Sequence, residues 1–214
     1  MCCGLSRRQF GSRATMAAHD KLLATKDALK MLEAKTHQRK EVMTEVQLYG
    51  FMPPIGKLDA SLSTLKKCRK LSLSTNHIEQ LSGFQGMDCL KILSLGRNFI
   101  RKIEGLDGVA DTLEELWLSH NCIDRLAGIE KLKKLKVLYL SNNNINDWQE
   151  VARLQELPQL ENLLMVNCPL YNDTVYGDND APWRTEVLKV LPNLKVLDGI
   201  DVTDDELEAA LRIG

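Results

Sequence analysis

Aromatic side chains are scarce in this sequence, at 5% of 214 residues. That excludes a core assembled around a few large rings and, with Leu recurring throughout, favours repeated aliphatic layers. Net charge is nearly absent as well: 28 Lys and Arg offset 29 Asp and Glu, leaving −1 at pH 7. No overall field draws such a chain to nucleic acid or anionic lipid. No apolar run approaches the roughly 20 residues that span a bilayer, and the first residues lack the apolar stretch of a secretory signal. No nucleic acid and no membrane are therefore expected among its partners. The length suits one domain with short appendages.

Motifs that carry chemistry are missing too. Neither the P-loop string G-x-x-x-x-G-K-[ST] nor G-x-G-x-x-G occurs, which removes the most specific nucleotide signals. His19, His37, His77 and His120 are scattered, and none forms the i, i+4 pair that suits zinc on a helix. The six cysteines, at 2, 3, 68, 89, 122 and 168, show no paired ligand spacing and read as reduced thiols of the cytoplasm. Cys122 and His120 flank Asn121 in a turn dictated by a repeat, so they read as turn residues rather than nucleophile and base. The basic runs at Lys66-Lys67 and Lys131 to Lys136 are interrupted by apolar positions and read as solvated flanks. No cofactor, no metal, no catalytic residue and no enzyme activity are expected.

What is present is a repeat. The string L-x-x-L-x-L-x-x-N-x-I can be read from Cys68, Leu90, Leu113 and Leu135, with Cys replacing the opening Leu in the first copy. A fifth copy starts at Leu160 with Cys168 at the asparagine position, and a partial sixth runs through Leu188, Leu191, Leu194 and Leu197. The starts of the first four copies fall 22, 23 and 22 residues apart, the period of leucine-rich repeats. The expected fold is an α/β leucine-rich-repeat solenoid of about five to six 22-residue repeats, with a parallel sheet on one face and helical N- and C-terminal caps.

In each repeat the L-x-L pair should lie on a short strand with both leucines inward and the residue between them outward. Asn76, Asn98, Asn121 and Asn143, with Cys168, should then form a structural ladder that satisfies backbone groups where the chain turns. The outward row reads Ser72, Ser94, Trp117, Tyr139 and Leu164. Trp117, Tyr139 and Leu164 fall on adjacent strands about 5 Å apart and should make one apolar strip, either covered by the chain's own N- or C-terminal segment or fit to anchor a protein. Arg97, His120, Asn142 and Asn167 would supply its polar rim.

Solenoid ends expose a leucine layer unless they are capped. Residues 1–16 are expected to be a disordered extension, 17–52 a helical N-terminal cap, 53–199 the solenoid, and 200–214 an acidic C-terminal helix or tail. Within the first cap, Leu22, Leu23, Leu29 and Leu32 suggest one helix, and Val42, Val46 and Tyr49 a second ending at Gly50. Pro182-Trp183 to Val190 reads as a further helix. Thr203-Asp204-Asp205-Glu206 is a capping box. The Gly and Asp content of residues 172–180 suggests a mobile loop.

Several strings between the generic leucines are more specific: Pro53-Pro54-Ile55, Lys57-Leu58-Asp59-Ala60-Ser61-Leu62-Ser63, Leu71-Ser72-Leu73-Ser74-Thr75-Asn76 and Ile92-Leu93-Ser94-Leu95-Gly96-Arg97-Asn98. Asp111-Thr112-Leu113-Glu114-Glu115-Leu116-Trp117, Pro169-Leu170-Tyr171-Asn172-Asp173 and Leu191-Pro192-Asn193-Leu194-Lys195 continue them, ending in Leu197-Asp198-Gly199. With these, the chain resembles the leucine-rich-repeat light chains of axonemal outer-arm dynein from about Met16 to about Val202. The resemblance implies a non-catalytic subunit of the cytoplasm and cytoskeleton, in the axoneme of a cilium or flagellum. There it would bind an outer-arm dynein heavy chain near the microtubule-binding region and regulate motility.

The implied contacts are the sheet-face positions already derived, Ser72, Ser94, Trp117, Tyr139 and Leu164, which with the rim residues Arg97, His120 and Asn142 make up the candidate partner-binding set. Tubulin or microtubule association is implied as well, with Arg184 and Lys189 as candidate contacts. Family members are expected to begin near Met16, so Met1 and Met16 both stand as starts, and Cys2-Cys3 reads either as irrelevant or as an acylation site. An alternative from the shared repeat is a regulatory subunit of a protein phosphatase, which would carry a longer array. A nuclear ribonucleoprotein subunit is another, and it would need a basic face that is not seen.

Overall fold

A computed structural model describes residues 22–177 and 182–212. Its centre is an eight-stranded sheet in the order β10-β9-β8-β7-β6-β5-β4-β2. The strands are β2 (Glu45–Gln47), β4 (Lys70–Ser72), β5 (Ile92–Ser94), β6 (Glu115–Trp117), β7 (Val137–Tyr139), β8 (Asn162–Leu164), β9 (Val196–Leu197) and β10 (Ile200–Asp201). All neighbours pair in parallel except β9 and β10. The register aligns Val46, Leu71, Leu93, Leu116, Leu138, Leu163 and Leu197, and all seven are buried. One inward aliphatic residue per strand thus stacks on the next, the quasi-one-dimensional core of a leucine-rich-repeat solenoid.

Behind the strands, later apolar positions such as Ile78, Leu81 and Phe84 return to the same core. The Ile78 repeat returns through irregular turns, whereas later ones use 3₁₀ turns at Asp107–Val109, Ile129–Lys131 and Leu154–Glu156. Gly128 shows why the return can be tight. Its φ is +101°, and a Cβ there would collide with the Ile103 carbonyl of the preceding repeat, so only glycine lets the two backbones approach.

The asparagines do what the turn requires. The Ile100 amide donates to Asn121 Oδ1 at 3.0 Å, while Asn121 Nδ2 donates to the carbonyls of Leu95 at 3.0 Å and Leu118 at 2.9 Å. Asn76, Asn98 and Asn143 repeat this three-way arrangement. Cys168 keeps the cross-repeat bond in weaker form, its thiol donating to the Leu140 carbonyl at 3.4 Å.

The ends differ from expectation in two places. At the N-terminal end the described residues form one α-helix, α1 (Thr25–Thr36), preceded by β1 (Leu23–Ala24), which pairs with β3 (Ile55–Lys57). The second helix expected over Val42 to Tyr49 is instead a 3₁₀ turn at Lys40–Val42 followed by β2. Val46 and Leu48 are buried while Glu45, Gln47 and Tyr49 are exposed, a period of two that suits a strand and not a helix. The sheet therefore begins before residue 53, inside the segment read as a helical cap. The second correction concerns residues 172–180, read as a mobile loop. Asn172 to Tyr176 lie in α3 (Pro169–Tyr176), which opens with proline at its first turn and buries Leu170 and Thr174. Residues 178–180, together with residues 1–16 and Cys2-Cys3, lie outside the described residues.

A short helix, α2 (Trp148–Arg153), precedes β8, and α4 (Trp183–Val190) precedes β9. The C-terminal end is closed by side chains. Asp198 accepts from the Met165 amide and from the Trp183 indole, both at 2.7 Å. Trp183 packs on Trp148 and Tyr171. The Thr203 capping box forms as expected, with Thr203 N donating to Glu206 Oε2 at 3.0 Å and Glu206 N to Thr203 Oγ1 at 3.3 Å. It opens α5 (Asp204–Arg212).

Candidate protein-binding face

Each central strand has three residues, and burial places the middle one inward and the flanking two outward. Two outward rows result. One aligns Gln47, Ser72, Ser94, Trp117, Tyr139 and Leu164 through the strand register, so the expected strip is contiguous. The Trp117 and Tyr139 rings stack with centroids 5.9 Å apart and planes 20° from parallel. Lys70 Nζ lies 5.8 Å from the Trp117 ring centroid, within range of a cation–π attraction of about 0.5–1 kcal/mol. Ser94 departs from the expectation of an exposed contact. It is only 8% exposed, because it is small beside Trp117 and turns its hydroxyl to Ser74 Oγ at 2.7 Å.

Trp117 Nε1 is buried and has no hydrogen-bond partner among the described residues. Leaving an indole N–H unsatisfied costs roughly 1–3 kcal/mol.

The second outward row aligns Glu45, Lys70, Ile92, Glu115, Val137, Asn162 and Val196. It was not identified from the repeat string, although period-two alternation carries the signal: the residue before each inward leucine faces out like the one after it. Within it the apolar Ile92 and Val137 stand on either side of Glu115. Below this row hydrogen bonds from Lys91 and Lys136, at 2.6 and 3.0 Å, lower the Glu114 carboxyl from its ordinary pKa.

The rim residues Arg97, His120, Asn142 and Asn167 share a backbone state, with φ of 57°, 58°, 56° and 62°. Thr75 at the equivalent turn has φ 58°. The left-handed conformation is thus imposed by the repeat; asparagine tolerates it, while Arg and His carry a cost on the order of 1 kcal/mol. Burial, with the Arg97 charge adding to it, pushes the His120 imidazole below its ordinary pKa. His120 Nε2 lies 3.5 Å from Asn142 Nδ2.

Arg184 and Lys189 do not join this face. Arg184 donates to the Leu197 carbonyl at 2.7 Å and pairs with Glu206, and its Nη2 also reaches the Asp201 carbonyl at 3.2 Å. Lys189 pairs with Glu186 at 2.7 Å. The buried thiols of Cys68 and Cys168 are pushed up by burial to about 11, which keeps them protonated and unreactive near neutral pH. Among the described residues no His, Cys, Asp or Glu cluster could hold a metal ion, and no helix is long and apolar enough to cross a membrane.

Residues 111–153 match the family model "Leucine Rich repeats (2 copies)". Over 190 residues, 89% of this chain and 96% of the other, the chain is 56% identical to "Dynein axonemal light chain 1" of Chlamydomonas reinhardtii. The human protein of that name is 53% identical over 188 residues, 88% of this chain and 97% of its own. Among solved structures, a leucine-rich-repeat protein of Leptospira interrogans superposes with a TM-score of 0.57 at 24% identity, covering 73% of this chain and 37% of that one. That likeness shows the fold alone.

Proposed function

From the premise that the chain belongs to the dynein axonemal light chain 1 family, we propose that it is a non-catalytic subunit that binds an outer-arm dynein heavy chain on its sheet face. The contact lies near the microtubule-binding region of the heavy chain, and through it the subunit regulates motility in the axoneme of a cilium or flagellum. The observation that carries this reading is the stacked Trp117–Tyr139 pair, flanked by Leu164, Ile92 and Val137 on adjoining strands. Large rings held rigidly on strands supply contact area at low entropic cost, and Trp and Tyr dominate interface energetics. Arg97, His120 and Asn142 serve as the rim.

Tubulin association in this reading runs through the heavy chain. Arg184 and Lys189 are already neutralised by Glu206 and Glu186, so neither offers a free cation to an acidic surface. The test is capture of a recombinant heavy-chain stalk carrying its microtubule-binding region. Trp117→Ala combined with Tyr139→Ala should weaken capture by about 3 kcal/mol, roughly a hundredfold, while circular dichroism stays native. Undiminished capture by the folded double variant would refute the sheet-face assignment.

A further inference from the structure

Beside the sheet face, where the N-terminal repeats turn out of their strands, lies a groove of about 490 Å³. Its walls are Met52, His77, Arg97, Phe99 and His120, and none of the residues lining it is a carboxylate. The His77 and Phe99 rings lie 5.1 Å apart. Met52 is 78% exposed and Phe99 46% exposed, large apolar side chains left in water where nothing in the repeat requires them. The volume suits one or two side chains of a peptide. Arg97 and His120 belong both to this groove and to the rim of the sheet face, so a partner seated on the aromatic row reaches the groove without leaving the surface.

We propose that the docked heavy chain extends into this groove, setting a large apolar side chain against Met52, His77 and Phe99 and a carboxylate against Arg97. The proposal rests on the sheet-face reading and deepens it. Charge selects the occupant. The chain's own first 21 residues carry Arg7, Arg8, Arg13 and Lys21 against Asp20 alone, and so are repelled by Arg97. An acidic segment is attracted, and its carboxylate matches the guanidinium fork.

The experiment titrates full-length protein with the recombinant heavy-chain stalk at low and high salt. Phe99→Ala should weaken binding about tenfold by emptying the apolar wall. Arg97→Asn places at a left-handed position the residue that already stands at Asn142 and Asn167; it should weaken binding about tenfold at low salt and clearly less at high salt. With methionine methyls labelled, the Met52 resonance should shift on adding the stalk, a readout of contact that survives if either variant folds poorly. If both variants bind within about twofold of the native chain and the Met52 line stays put, while Trp117→Ala with Tyr139→Ala loses capture, the groove is unoccupied and the proposal falls with the sheet face intact. Tighter binding by Phe99→Ala would mean that the chain's own segment fills the groove, which also overturns it. Native binding by the Trp117/Tyr139 double variant would remove the sheet-face reading and this proposal together.

Discussion

Two rows of side chains run across the repeats four residues apart, one on the strands and one in the turns that follow them, as Trp117 and Asn121 or Tyr139 and Asn143 do. In the asparagine row the side-chain amides are saturated, each Oδ1 accepting one backbone amide and each Nδ2 donating to at least two carbonyls. The aromatic row holds an indole N–H with no partner among the described residues, and side chains left half in water. A row that serves only the fold satisfies itself within the chain. In the aromatic row, apolar area stays half exposed and one indole donor finds no partner among the described residues, which is what the proposed docking role calls for.

That contrast can be broken by substitutions in the two rows. Asn121→Ala strands one amide and two carbonyls inside the turn, and should lower unfolding free energy by about 3 kcal/mol in urea titration. The folded fraction should bind the heavy chain as before. If stability were retained, the ladder argument would be wrong. Cys168→Ala removes only a weak thiol bond and a small buried group, and should cost less, about 1 kcal/mol. A loss as large as that of Asn121→Ala would show that the thiol is no lesser member of the ladder.

Trp117→Ala alone should change stability by less than about 1 kcal/mol, because deleting the orphaned N–H offsets the lost half-buried area. A cost of several kcal/mol would mark Trp117 as a residue of the fold. The smallest effect belongs to the C-terminal end. The Arg184 guanidinium, aided by Thr203, holds the Glu206 carboxyl down to about 2. A depressed carboxylate contributes stability above its ordinary range, and that contribution is lost as pH falls from about 4.5 toward 2. Amide exchange in α5 should therefore speed up across this window in the native chain and become nearly pH-independent, beyond intrinsic exchange, in Glu206→Gln.

Much of the solenoid was legible because its signal is periodic. Leu71, Leu93, Leu116 and Leu138 recur at matching offsets, and the asparagines follow at a fixed distance. The first strand of the eight-stranded sheet was not legible: Val46 and Leu48 lack the L-x-L string and its asparagine, so only pairing of β2 with β4 reveals them as a layer of the sheet. The adjacency of Trp117 and Tyr139 could be read from the repeat, but not the second row with Ile92 and Val137, which the consensus leaves unspecified. The groove was hidden for a different reason. His77 and Phe99 hold the unspecified position between Asn and Ile in successive copies, which the consensus leaves open, and Met52 lies outside the string altogether.

By itself the sequence determined the repeat, its inward leucines, its turn asparagines and the outward Trp and Tyr, since each depends on local period and residue type. Only the tertiary structure decided that Ser94 is covered, that Arg184 is committed to Glu206, and that Trp117 carries a buried donor without a partner among the described residues. Those outcomes depend on which neighbours the stacked repeats deliver to a side chain, and contacts between residues twenty or more positions apart are set by packing rather than by local pattern.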